Sequence, residues 1–178
     1  ALVNTRIYGA YVEQFCAGPD ISCNATQYAT QLVALKSPEF PMYVDGRNTG
    51  VSATASAGAG ITNPNFAIDS DTSNYTTIDA TLLLAGNLHY TVADAITNYP
   101  PNTYIAFDIS TDRLLDIEAL GGMELRLVKD GVLLPRAYSP TLLLGVSALN
   151  ATEQRYKLGL VSADTFDGIQ LTIGGVAN

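Results

Sequence analysis

The sequence predicts an all-β fold, an antiparallel β-sandwich of jelly-roll or immunoglobulin-like type, on three observations. Apolar residues recur with the strand period of two; Gly, Pro, Asn and Asp cluster between the alternating runs; and an Asp-Gly pair joins two of those runs as a hairpin turn would. Taken along the chain, residues 24–35 are ambiguous. Asn24 could cap a short helix with Tyr28, Leu32 and Leu35 on one side, but Thr and Val there also suit a strand. From Arg47 to Asn65 the composition turns small and polar, as in a surface loop or a weak edge strand. Leu88, Tyr90 and Val92 alternate, as do Ile105, Phe107 and Ile109, with Asp108 on the opposite face. The same pattern recurs in Met123–Leu127, in Tyr156–Leu160 and in Ile169–Ile173, each with one dry and one wet face. Lys129-Asp130-Gly131-Val132 supplies the turn.

A chain of 178 residues, 47% hydrophobic, is expected to form one domain with a full core. Seventeen acidic against nine basic residues give a net charge of −8, which repels phosphate backbones and anionic membrane surfaces. Neither nucleic acid nor membrane insertion is expected, since no apolar run approaches the roughly 20 residues of a bilayer span. The first residues, Ala-Leu-Val-Asn-Thr-Arg, lack the basic-then-apolar layout of a signal peptide, which suits a processed chain or an excerpt of a longer one.

Candidate chemistry is sparse. Cys16 and Cys23 flank Gly18-Pro19, a turn that brings their sulfurs within bonding distance; the expectation is a disulfide, with two unpaired loop thiols as the alternative. Their spacing fits neither a redox pair nor a zinc knuckle. The one histidine, His89, sits in an alternating strand without a Gly-x-Ser-x-Gly elbow elsewhere, so it reads as a strand-face residue rather than a catalytic base. Asp164 with Asp167, and Asp112 with Asp116, are carboxylate pairs at turn-forming positions. Gly58-Ala59-Gly60 is followed by neither a lysine nor a helix signal, so no phosphate loop is expected. Asp69, Asp71 and Asn74, in Asp-Ser-Asp-Thr-Ser-Asn, place hard oxygen donors at the near-alternate spacing that calcium prefers, but Asn74 and Ala80 stand where an EF-hand needs Gly and Glu. An Asx-rich turn is the competing reading. Asn-x-Thr triplets at Asn24, Asn74 and Asn150 indicate surface exposure and nothing more.

The stretch from Ile61 to Thr77 resembles the signature Asn-Pro-x-Asn-Ala-x-Asp-Gly-Asp-x-x-Thr-Tyr that opens a repeated domain in very large secreted adhesins of Bacteroidetes, the gliding adhesins among them. Asn63, Pro64, Ala67, Asp69, Asp71 and Tyr75 match; Phe66, Ser70 and Asn74 depart. Further matches are Leu120–Leu125, Leu142–Leu144 and Phe166–Gly175. The opening signature is also similar to discoidin-type sugar-binding modules, whose calcium loop has a like Asp-x-Asp pattern.

The adhesin resemblance implies a last strand of the form Leu-x-Val-Tyr-x-Ala after the Gly-Gly strand. Thr5, Arg6, Ile7, Tyr8, Gly9 and Ala10, at the other end of the chain, fit that strand apart from Thr5 in place of Leu and Ile7 in place of Val. The implied organisation is an exchanged or preceding-repeat strand in residues 1–13, a loop-rich segment in 14–60 and the repeat core in 61–178. A sandwich short of one strand exposes unpaired backbone groups that a neighbouring copy can satisfy; the competing arrangement is a strand that folds back into its own domain. The implied function is a non-catalytic structural and adhesive repeat at the bacterial cell surface, exported by the type IX system, without cofactors, its partners copies of itself or adjacent repeats. A discoidin-like module would instead take surface glycans and calcium. The absence of tryptophan weakens that alternative, because sugar platforms lean on aromatic faces.

Overall fold

The computed structural model describes residues 4–13, 32–56, 60–80, 83–111, 122–138, 147–150 and 155–175. Cys16 and Cys23, Asp112 and Asp116, Asn24, Ala59 and Leu142–Leu144 lie outside them. The described residues form two antiparallel sheets packed face to face and contain no helix. The first sheet holds β1 (Asn4–Glu13), β2 (Leu32–Ala34), β5 (Gly60–Thr62), β6 (Thr76–Asp79), β8 (Tyr104–Thr111), β11 (Ser147–Asn150) and β12 (Arg155–Val161) in the order β11-β12-β8-β1-β6-β5, with β2 also on β1. The second holds β3 (Met42–Val44), β4 (Gly50–Ser56), β7 (Leu83–Asp94), β9 (Met123–Lys129), β10 (Val132–Tyr138) and β13 (Gly168–Gly175) in the order β10-β9-β13-β7-β3, with β4 also on β7.

Alternation explains the packing. Ile7, Ala10, Val12, Ile105, Phe107, Ile109, Leu158 and Leu160 of the first sheet meet Leu88, Tyr90, Val92, Leu125, Leu127, Ile169, Leu171 and Ile173 of the second in one core. Each fully buried Leu, Ile or Phe contributes about 1.5–3 kcal/mol of transfer free energy, which is why the period-two pattern dictates the two inner faces. Where the chain is described between Asn24 and Leu35 it is strand, β2, paired with Tyr11–Glu13. The small polar stretch after Arg47 forms β4 on the edge of β7 and then β5, a three-residue edge strand. Asp130 (φ 52°) and Gly131 (φ 77°) both sit in the left-handed region, the conformation a two-residue type I′ hairpin requires, and they join β9 to β10.

The expectation of a lent first strand meets a different arrangement. Thr5–Val12 pairs with β8 along its length, and Asn4–Ile7 pairs with β6, all within one chain. β1 is thus an interior strand of its own sheet, with Ile7, Ala10 and Val12 in its own core. The chain folds back on itself because β8 and β6 lie apart by one strand's width and β1 carries the three apolar side chains that fill the gap. Residues 42–56 likewise belong to the second sheet, so both sheets draw on residues before 61.

Candidate functional site

Outward-facing residues of the first sheet build the most developed site. On β1 the inward Ile7 is followed by a bulge between Ile7 and Gly9, so Arg6, Tyr8 and Tyr11 all point away from the core. Directly opposite on β8 lie Ser110 and Asp108, and beyond them on β12 Arg155 and Lys157. Tyr75, at the entrance to β6, completes a ladder. The Arg6 guanidinium stacks 4.8 Å from the Tyr75 ring centre, Tyr75 and Tyr8 are 5.4 Å apart, and Arg155 stacks 4.0 Å from Tyr8. Arg155 is also paired through two nitrogens with Asp108, Nε to Oδ1 at 3.2 Å and Nη2 to Oδ2. Asp108 is 2% exposed, so this fork compensates a carboxylate that would otherwise be desolvated alone. Each stacked cation contributes about 0.5–2 kcal/mol and fixes the orientation of a long side chain.

Beside the ladder a groove of about 550 Å³ is lined by Asn4, Arg6, Tyr8, Ser110, Thr111 and Arg155 from the sheet, and by Ser73 from the loop before β6. That loop carries the recognisable signature, and its residues are spent on holding its shape. Asn63 adopts φ 51°, and its carbonyl accepts from Phe66 N at 3.0 Å and from Thr76 Oγ1 at 2.9 Å. The buried Tyr90 hydroxyl donates to Pro64 O at 2.6 Å, and burial raises its pKa. Thr76 Oγ1 also accepts from Ala67 N. Asp69 Oδ1 accepts from Asp71 N at 3.0 Å and Asp69 Oδ2 from Asn74 Nδ2 at 2.8 Å, while Asp71 Oδ1 accepts from both the backbone and the hydroxyl of Ser73. The two hydrogen bonds from Ser73 hold the Asp71 carboxyl below the usual carboxylate range. Asp69, Asp71 and Asn74 are therefore brought together, in two successive Asx turns.

A cation is already present in this loop. Lys36, 7% exposed, donates from Nζ to the carbonyl oxygens of Ala67 and Asp71, 3.3 Å each. Its side chain passes over Gly9, where a Cβ would lie 3.4 Å from both Lys36 Cε and the Ala67 carbonyl oxygen. Burial lowers the Lys36 pKa, and the charges of Asp69, Asp71 and Asp108 act to raise it. A calcium ion drawing on the loop's inward carbonyls would compete with this ammonium for the same oxygens and be repelled by it. The loop's backbone carbonyls at Ala67 and Asp71 thus take their donor from a lysine that no local pattern flags, while the Asp69 and Asp71 side chains bond within the loop.

The second sheet carries a smaller polar recess of about 240 Å³ that includes Ser52, His89 and Gln170. Ser52 Oγ lies 2.9 Å from His89 Nε2, and His89 Nδ1 lies 2.9 Å from Thr172 Oγ1, which donates to Gln170 Oε1 at 3.3 Å. Gln170 Nε2 donates to Asn48 O and Thr91 Oγ1, which fixes the amide's direction. Ser52 Oγ also reaches Asn87 O at 3.4 Å, so its one proton is shared between that carbonyl and His89, and the direction of both histidine bonds follows the ring's tautomer. The serine and histidine spacing is that of a nucleophile and base, but the third partner is a neutral hydroxyl where a triad has a carboxylate. Burial lowers the His89 pKa.

Of the carboxylate pair Asp164 and Asp167, the first is exposed and the second caps the hairpin turn, accepting from Asp130 N at 2.8 Å. Burial raises the Asp167 pKa, helped by the nearby charges of Asp130 and Asp94. Asn74, half-buried with its amide donated to Asp69, is poorly placed to accept a glycan. The ladder residues carry a sequence signal in retrospect: Arg6, Tyr8, Arg155 and Lys157 occupy the wet positions of alternating strands. Their mutual proximity depends on β1 lying between β6 and β8, which alternation does not specify. Comparison with protein-family models, with curated proteins and with solved structures finds no match to this chain.

Proposed function

We propose that the chain is a non-catalytic adhesive module, a self-closed β-sandwich that holds its target in the groove beside the Arg6–Tyr75–Tyr8–Arg155 ladder. The observation that carries this reading is the ladder itself. Two arginines and two tyrosines are stacked into one orientation on the outer face of a sheet, where a ligand gains preorganised donors. The hydroxyls of Tyr8, Ser73, Ser110 and Thr111 around them suit a polyhydroxylated surface glycan. Residence at the bacterial cell surface after type IX export, as one repeat of a larger adhesin, belongs to this proposal and is supported by the signature in residues 61–77.

The calcium-dependent module differs in one respect, the cation at Asp69, Asp71 and Asn74. Lys36 supports a module that works without it. Assembly end to end by strand exchange draws less support, because β1 is interior to its own sheet and edge strands are blunted. β5 has three residues, and β10 carries Pro135 within an interrupted register.

Beads coated with the protein should adhere to glycan-bearing surfaces, equally with and without chelator, while a variant with Tyr8→Ala and Arg6→Ala should not adhere. Adhesion abolished by chelator would move the reading to the calcium module. Adhesion unchanged in the double variant would overturn the groove as the site, and concentration-dependent polymerisation would restore the filament.

A further inference from the structure

We infer that the groove takes a sugar bearing a single carboxylate, with Arg6 as the residue that receives that group; this rests on the adhesive-module reading. The two arginines of the groove differ in what they have left to offer. Arg155 spends Nε and Nη2 on the Asp108 carboxylate, so its charge is balanced inside the protein. Arg6 is exposed, and no carboxylate lies within ion-pair distance of it among the described residues. Its contact is the Tyr75 ring, whose centre lies 4.8 Å from Cζ. That contact commits none of its N–H groups to an acceptor oxygen, and the guanidinium fork matches the two oxygens of a carboxylate.

The rest of the lining narrows the ligand. No Leu, Ile, Val or Phe lines the groove among the described residues, so an apolar peptide side chain finds no pocket. Hydroxyls surround the arginine instead: Ser110 Oγ donates to Tyr8 Oη at 3.4 Å, which leaves the tyrosine proton for a ligand, and Ser73 Oγ donates to Asp71, leaving its lone pairs as acceptors. A ring of sugar hydroxyls can pair with both. A volume of about 550 Å³ lies in the usual range of about 300–1,000 Å³ for small-molecule sites. A densely charged polyanion is disfavoured by the net charge of −8, whereas one carboxylate meets one unbalanced guanidinium. Uronic acids and sialic acids share this chemistry.

The test is calorimetric titration of the whole chain with methyl α-D-galacturonide, its methyl ester, methyl α-D-galactoside and the methyl glycoside of N-acetylneuraminic acid. At least one of the two acids should bind about tenfold more tightly than the ester and the galactoside, the scale of one charge-assisted hydrogen-bond pair. Which acid binds identifies the source. Arg6→Gln should remove that tenfold difference, Arg6→Lys should keep part of it, and Arg136→Gln, on an exposed part of β10, should change nothing. Equal binding of acid and ester, or an acid preference that survives Arg6→Gln with the fold intact by circular dichroism, overturns the inference while leaving the adhesive module standing. If neither acid binds, the inference falls, and the bead assay decides the module separately.

Discussion

Lys36 Nζ donates to the carbonyl oxygen of Asp71 from 35 residues away, and in doing so places a buried positive charge inside a loop whose own side chains are acidic. The loop's shape therefore depends on β2 being docked against β1, since Lys36 lies two residues past the end of β2 and the intervening Leu35 N donates to Ala10 O at 2.9 Å.

Lys36→Met should leave the buried Ala67 carbonyl and the part-buried Asp71 carbonyl without their donor and cost about 1–3 kcal/mol in urea unfolding. The wild-type melting temperature should be the same in chelator and in millimolar calcium. A calcium-induced rise in the wild type, or a neutral Lys36→Met, would refute the assigned role of the lysine.

Phe107→Ala should cost about 3–5 kcal/mol, because its ring is fully buried at the centre of β8 and meets Tyr90 of the opposite sheet at 6.2 Å. Arg136→Ala, by contrast, should lie within about 0.5 kcal/mol of the wild type. Denaturant midpoints of the two variants decide whether the inter-sheet core carries the stability.

Removal of residues 1–13 should abolish cooperative folding, since β1 bridges β6 and β8 and carries Ile7, Ala10 and Val12 into the core. A peptide spanning residues 4–13 added in trans should restore it. Near-ultraviolet circular dichroism would report both steps, and a truncated chain that folds unaided would show that β1 is dispensable.

His89 should titrate below the ordinary imidazole value near 6.5, because burial disfavours its charged form. The folded protein then binds this proton less readily than the unfolded chain. The contribution to stability is complete above the unfolded pKa and is lost as pH falls through the lower folded value. As the chain has one histidine, a single imidazole resonance followed against pH measures the shift directly. His89→Gln should flatten that part of the stability profile.

By itself the sequence determined what is local. Strand alternation assigned Leu88, Tyr90, Val92, Ile105, Phe107, Ile109, Leu125, Leu127, Leu158, Leu160, Ile169, Leu171 and Ile173 to the interior, because a two-residue period forces every second side chain to one face. Asp130-Gly131 marked its turn because few residue pairs accept two positive φ angles in succession. The Asp69–Asn74 run was legible as a cluster of oxygens, but an oxygen list does not say which donors it meets. Lys36 inside that loop, the stacking of Arg6, Tyr75, Tyr8 and Arg155, and the meeting of Ser52 with His89 were decided by the order in which strands lie beside one another. That order follows from how the whole set of apolar faces is covered at once, an energy shared among segments far apart in the chain and written in no single one of them.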